Sequence, residues 1–140
     1  SINHQKKLGA FTLGIGLQYQ YLQSLNLGSA SNPGLEGKTL PFNPSHNLNT
    51  QLSLQFKKIQ LAYQINFTDR YYLDEANYYY LPSYAVQDLR LGYKVDWKAQ
   101  NFQIQVGINN LGNRDYQIIA WRPEPGIHYY LSLVWDWRKN

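Results

Sequence analysis

Few residues in this chain could do covalent chemistry. There is no cysteine, so a thiolate nucleophile, a disulfide and a thiolate metal site are all excluded. The histidines His4, His46 and His128 lack metal-ligand spacing. Asp74 and Glu75 form the only adjacent carboxylate pair, and no glycine-rich phosphate loop precedes a helical pattern. No catalytic, cofactor-binding or metal-binding residue is therefore expected, and an enzyme is not. Binding chemistry is better represented. Asn77, Tyr78, Tyr79 and Tyr80 are consecutive, and Trp121 is followed by Arg122. Stacked aromatic rings suit a sugar or a catecholate-type ligand, and the guanidinium of Arg122 adds an anion contact. These are the candidate substrate-binding residues; packing of loop on loop is the competing reading.

The elements that carry them are strands. Phe11, Leu13, Ile15, Leu17, Tyr19 and Tyr21 alternate with small and polar residues, which marks a long strand over roughly 9–26. The same period of two recurs over 47–56, 59–68, 88–95, 102–109 and 127–137. Each strand has one apolar face and one face of Gln, Asn, Ser, Thr, Gly or charge. The last sets Ile127, Tyr129, Leu131, Leu133, Trp135 and Trp137 on one side, a row long enough to cross a bilayer as a tilted strand. Long loops at 27–45, 69–83 and 111–126 alternate with short turns at 57–58 and 96–101. That asymmetry is the pattern of a membrane barrel, with long extracellular loops and short periplasmic turns.

Aromatics make up 16% of the chain and gather at both ends of the apolar rows. Phe11, Phe56, Trp97, Phe102, Trp135 and Trp137 fall at the short-turn end. Tyr19, Tyr21, Phe67, Tyr71, Tyr72, Tyr84 and Tyr116 fall at the long-loop end. They read as two interfacial girdles. Most of the 13 Lys and Arg residues, among them Lys6, Lys7, Lys57, Lys58, Lys94, Lys98, Arg138 and Lys139, lie at or near the short-turn end. They either snorkel to head groups or mark ordinary solvated turns; nucleic-acid binding is not inferred. No apolar run reaches the length of a transmembrane helix, and the mean hydropathy of −0.52 does not exclude a barrel, whose inward residues are polar. Without methionine the chain does not start at an initiator residue and carries no recognisable signal peptide, so it reads as a processed product or a fragment.

Four segments, in order, resemble the C-terminal part of a TonB-dependent outer-membrane receptor. They are Leu40-Pro41-Phe42-Asn43-Pro44-Ser45-His46, Leu81-Pro82-Ser83-Tyr84 running on through Asp88-Leu89-Arg90-Leu91-Gly92-Tyr93, Val106-Gly107-Ile108-Asn109-Asn110-Leu111-Gly112-Asn113-Arg114-Asp115-Tyr116, and Pro125-Gly126 before the closing strand. Two departures stand out: Ile127 replaces the usual Arg after Pro-Gly, and the chain ends Trp137-Arg138-Lys139-Asn140 without a terminal aromatic. The Asn-Asn-Leu to Asp-Tyr element is the most specific match.

The resemblance implies an all-β fold: an antiparallel transmembrane β-barrel segment of about six meandering strands, residues 1–140 being the C-terminal part of a barrel of about 22. The plug domain and earlier strands would lie outside it. It also implies TonB-driven uptake of a scarce nutrient such as a ferric siderophore, cobalamin, haem or an oligosaccharide, in the outer membrane of a Gram-negative bacterium. Implied partners are outer-membrane lipid, the rest of the barrel and its plug, TonB through that plug, the barrel-assembly machinery through the C-terminal strand, and the ligand. In this frame Asp88 points into the lumen and needs water or a cation such as Arg90 nearby, Asn109 hydrogen-bonds across the wall, and Asn110, whose parity conflicts with its neighbours, marks a bulge or strand end. The alternative from another class is a secreted, tyrosine-rich β-sandwich that binds glycans, with its apolar rows buried between two sheets.

Overall fold

The computed structural model describes residues 1–28, 30–97 and 100–137, without the side chains of Trp97, Asp136 and Trp137. Lys98, Arg138 and Lys139, assigned above to the short-turn end, lie outside the described residues.

Seven strands form one antiparallel meander: β1 (Ile2–Leu8), β2 (Phe11–Tyr21), β3 (His46–Phe56), β4 (Ile59–Thr68), β7 (Tyr84–Trp97), β8 (Gln100–Asn109) and β11 (His128–Trp137). Two short hairpins stand in the loops, β5 (Tyr71–Tyr72) with β6 (Tyr80–Leu81), and β9 (Gln117–Ile119) with β10 (Arg122–Pro123). A 3-10 turn, Pro33–Leu35, lies in the first long loop.

Pairing carries the alternation of each strand coherently across the sheet. Leu17 faces Thr50, Thr50 faces Ile65, Leu61 faces Leu91, Leu91 faces Val106, and Val106 faces Leu131. A slip of one residue anywhere would turn a strand's apolar row to the wrong side. The apolar face is left uncovered: Leu13, Ile15, Leu52, Leu61, Leu91, Val106, Leu131 and Leu133 are all exposed. No second sheet packs on it among the described residues. A sandwich would bury this face, so the fold runs against the glycan-binding alternative. Strand β2, with 11 residues, is about 33 Å long at about 3.3 Å per residue, which gives about 25 Å of height at a barrel tilt.

The opposite face is a lattice of amides. Asn49 donates to Asn66, Gln64 donates to Asn66 at 3.0 Å, and Arg90 donates to Gln64. Asn109 and His128 are joined across β8 and β11 at 3.0 Å, which is the cross-wall bond expected of Asn109. On this face Tyr130 lies opposite Gly107, and the Gln105 amide donates to its hydroxyl at 2.9 Å. A Cβ at Gly107 would overlap the Tyr130 ring. Gly107→Ala is expected to cost about 1–3 kcal/mol, because the ring must leave its hydrogen bond or the strands must part. Adding Tyr130→Ala should recover part of that loss, a coupling measurable by a double-mutant cycle in refolding titrations.

The structure alters several sequence expectations. Among the described residues the main sheet has seven strands, one more than the six read from the sequence, because β1 was hidden: its two faces, Ile2, His4, Lys6, Leu8 and Asn3, Gln5, Lys7, lack the contrast that reveals the others. Strand β2 ends at Tyr21, short of residue 26. Beyond it the chain enters an irregular ladder in which Leu22 donates to Ser45 O, Asn26 to Lys38 O and Leu40 to Ser24 O. Strand β7 begins at Tyr84, four residues before the start at Asp88 read from the sequence. The turn-end girdle contains two cross-strand stacks, Phe11 on Phe56 at 4.4 Å and Phe102 on Trp135 at 6.1 Å. Lys57 sits 5.3 Å over the Phe56 ring, and Lys58 pairs with Asp96 at 3.3 Å. At the loop end Tyr19 and Tyr21 flank His46 on the apolar side. Tyr84, however, has the parity of Asp88 and Arg90, so its stack with Tyr116 belongs to the polar face and not to the girdle.

Candidate functional site

The buried apolar side chains, Tyr71, Leu81 and Val86, are all at the loop end. The Tyr71 hydroxyl donates to Ile118 O at 2.5 Å, tying the 69–83 loop to the 111–126 loop. Tyr84 and Tyr116 stack at 4.6 Å beside that tie. Burial first, then the neighbouring Tyr84, raises the pKa of Tyr71. Burial first, then Glu124, Tyr84 and Asp88, raises that of Tyr116. Both phenols therefore stay protonated, and Tyr71 stays a donor, beyond the ordinary tyrosine range. Their contribution to stability is full below that range and is lost as pH rises from there through the raised pKa values.

Asn77 is held in a left-handed turn, φ 61°, and its side chain is committed. Its Oδ1 accepts from Thr39 N at 2.8 Å, and its Nδ2 donates to Thr39 O at 2.8 Å and to Asp74 O at 3.3 Å. It clamps the first long loop to the second, a position that uses both ends of its amide. The clamp was unreadable in the sequence because Thr39 lies 38 residues away.

Asp74 builds the turn that presents the tyrosines. Its carboxylate accepts from Tyr79 N at 2.7 Å and Tyr78 N at 3.2 Å. Those backbone donors, Tyr79 first, hold its pKa below the usual carboxylate value. The stabilisation is thus full above the ordinary carboxylate range and is lost as pH falls from there through the lowered pKa. Asp74→Ala is expected to speed amide hydrogen exchange at Tyr78 and Tyr79 by about three- to tenfold, the effect of one or two exposed hydrogen bonds. Tyr78 and Tyr79 project to solvent at 81% and 70% exposure, while Tyr80 makes an edge contact with Tyr72.

Trp121 is 93% exposed at the tip of the β9–β10 hairpin, with its N–H donating to Gln117 Oε1 at 2.9 Å. Arg122, next to it on β10, is exposed as well. The candidates therefore form two groups on adjacent loops, Asn77 to Tyr80 on one and Trp121 with Arg122 on the other. The groups are joined at their bases through Tyr71 and Ile118.

The last loop is fixed by two asparagines. Asn110 ends β8 in a left-handed conformation, φ 52°, and is 1% exposed. Its N–H donates to Asp88 Oδ1 at 3.1 Å, its Oδ1 accepts from Arg114 N, and its Nδ2 donates to Arg114 O and Pro125 O. This is the strand end anticipated from its parity. Asn113, φ 47°, accepts from Ile127 N at 2.9 Å. Asp88 accepts from a backbone donor, and Arg90, named beside water as a partner for it, gives its guanidinium to Gln64.

The family model described as TonB dependent receptor-like, beta-barrel, matches residues 2–111. Among solved structures, the ferric preacinetobactin receptor BauA from Acinetobacter baumannii superposes with a TM-score of 0.74 at 20% identity, covering 91% of this chain and 20% of that one. The siderophore receptor PiuA from Acinetobacter baumannii does so with a TM-score of 0.69 at 22% identity, covering 94% of this chain and 20% of that one. The chain spans about a fifth of the length of each receptor. No curated protein matches it. An open meander with an uncovered apolar face, an amide-lined opposite face and long loops at one end is the wall of such a barrel, and the chain belongs to the TonB-dependent receptor β-barrel family.

Proposed function

We propose that residues 1–140 form the C-terminal wall of an outer-membrane receptor that takes up a ferric siderophore by TonB-driven transport. The observation that carries this reading is the two-faced sheet. One face is apolar over the height of a bilayer, and the other is lined by amides that suit a hydrated lumen. Members of this family are outer-membrane transporters of Gram-negative bacteria, not enzymes. The names of the two solved receptors favour a siderophore over cobalamin, haem or an oligosaccharide. Strands β1 and β11 are the two edges of the sheet, and exposed edges invite pairing. In this reading they pair with other strands of the same wall, around a plug that contacts TonB, and β11 is the strand offered to the barrel-assembly machinery.

The decisive experiment is uptake of radioactive iron complexes by cells carrying the complete receptor, with and without TonB. Accumulation that is the same in both strains would sink the transport reading. Within that receptor, Arg122→Ala is expected to weaken binding of an anionic ferric complex by about tenfold, the worth of one exposed charge-assisted contact. Equilibrium binding to the purified receptor checks this. Unchanged affinity would remove Arg122 from the site and leave uptake untouched.

A further inference from the structure

Strand β1 carries a polarity that its place in the wall does not explain. Ile2, His4, Lys6 and Leu8 pair with Leu17, Ile15, Leu13 and Phe11, so all four stand on the apolar face. Lys7, opposite Thr12, belongs to the amide face, so Lys6 and Lys7 are not one charge run. His4 and Lys6 are exposed, and neither has a hydrogen-bond or ion-pair partner among the described residues. They edge a shallow hollow whose floor is Leu13, Ile15, Leu52 and Leu54. A basic side chain on a lipid-facing surface is costly and calls for a partner.

Depth identifies that partner. Phe11 stacks on Phe56 in the turn-end girdle, which sets the level of the interface. Lys6 lies two residues inward from that ring and His4 four. At a barrel tilt these positions are about 5 Å and about 10 Å below the interface. The Lys6 stem is long enough to bring its ammonium back to head-group level. The His4 side chain is too short for that, so it has to be satisfied within the bilayer. Its ring keeps an N–H donor in either charge state. The groups met going inward are therefore a cation, a hydrogen-bond donor and an apolar floor. A glycerophospholipid presents the complement in the same order: phosphate, ester carbonyls and acyl chains. Lys57 supplies a contrast. It is at the same end of the sheet, but its ammonium lies 5.3 Å over the Phe56 ring, and the residues inward of it on that face of β3 are Phe56, Leu54 and Leu52.

We propose that His4 and Lys6 form a binding site for an anionic glycerophospholipid of the periplasmic leaflet. Lys6 holds the phosphate, His4 donates to an ester carbonyl, and the acyl chains lie along Leu13, Ile15, Leu52 and Leu54. This rests on the outer-membrane reading above and is independent of which ligand the receptor takes up.

The test uses the complete receptor in detergent micelles. Native mass spectrometry follows binding of phosphatidylglycerol, with phosphatidylcholine as the reference lipid. Lys6→Gln is expected to weaken phosphatidylglycerol binding by about fivefold, the effect of one cation beside an anionic lipid. His4→Leu should weaken it by about threefold, the effect of one hydrogen bond. Lys6→Arg keeps a snorkelling cation and should bind as the unmodified receptor does, and so should Lys57→Gln. Glycerol phosphate, which has the phosphate without acyl chains, should not displace the lipid. Melting temperature in phosphatidylcholine nanodiscs should not fall for Lys6→Gln or His4→Leu, since each removes a polar group from a lipid-facing surface. A fall in either would overturn the site, because a neighbouring strand of the barrel would then be what satisfies the two side chains. Unchanged lipid affinity in both variants would overturn it as well. So would equal losses for Lys57→Gln and Lys6→Gln, since the whole basic rim would then be attracting the lipid, and displacement by glycerol phosphate would rule out the lipid as occupant. All of these leave the uptake reading intact. A receptor missing from the outer-membrane fraction of cells would overturn that reading, and this site with it.

Discussion

Asn110→Asp is expected to cost about 3–5 kcal/mol of folding stability, the scale of a buried polar group turned against its partners. The substitution changes one atom, and that atom is the one in use. The side-chain nitrogen donates to two carbonyls, Arg114 O at 2.8 Å and Pro125 O at 3.2 Å. A carboxylate oxygen there would face both carbonyls as an acceptor, in a site 1% exposed and beside the Asp88 carboxylate that already accepts from the Asn110 N–H. Protonation would restore one donor at best. Asn110→Gly separates the two contributions: it satisfies the left-handed backbone, φ 52°, while losing every side-chain bond. It should therefore fall between the wild type and the aspartate variant. Denaturant-induced unfolding of the complete receptor in detergent would give the order, and an aspartate variant as stable as the parent would refute the role given to this amide.

The same node shows where the sequence was legible and where it was not. Parity alone marked Asn110 as a bulge or strand end, because an amide on the apolar side has no partner in lipid. The strands were legible for a related reason. Lipid on one side and hydrated lumen on the other put the contrast of a barrel wall into every second residue, so β2, β3, β4, β8 and β11 announced themselves. Strand β1 did not, since His4 and Lys6 occupy its apolar-side positions opposite Ile15 and Leu13. The candidate site was legible only as composition. Tyr78, Tyr79 and Trp121 do reach solvent, but Asn77, which looked like one more polar contact, is a clamp between loops. Contacts between loops join residues separated by 38 and 47 positions, and no local pattern encodes such partners.

The second large effect turns on adjacent residues of β7. Arg90 and Leu91 point to opposite faces of a central strand, Leu91 between Leu61 and Val106 in the middle of the apolar face, Arg90 opposite Ala62 and Gly107 on the amide face. Leu91→Arg places a guanidinium where the family's barrels meet the bilayer midplane, at an expected cost of about 2–4 kcal/mol. Exchanging the pair, Arg90→Leu with Leu91→Arg, leaves composition and net charge unchanged. It should cost at least as much, because the Gln64 carbonyl also loses its donor. The expected signature in cells is a lower amount of folded, heat-modifiable receptor in the outer membrane. It should be strong for Leu91→Arg and weak for Leu91→Phe, which keeps the face apolar. Depth supplies the control: Val95→Arg, close to the turn end, can reach the interface and should cost about 1 kcal/mol or less. Equal losses at positions 91 and 95 would mean that the face is buried against protein along its whole length, and the gradient between them is what a lipid boundary requires.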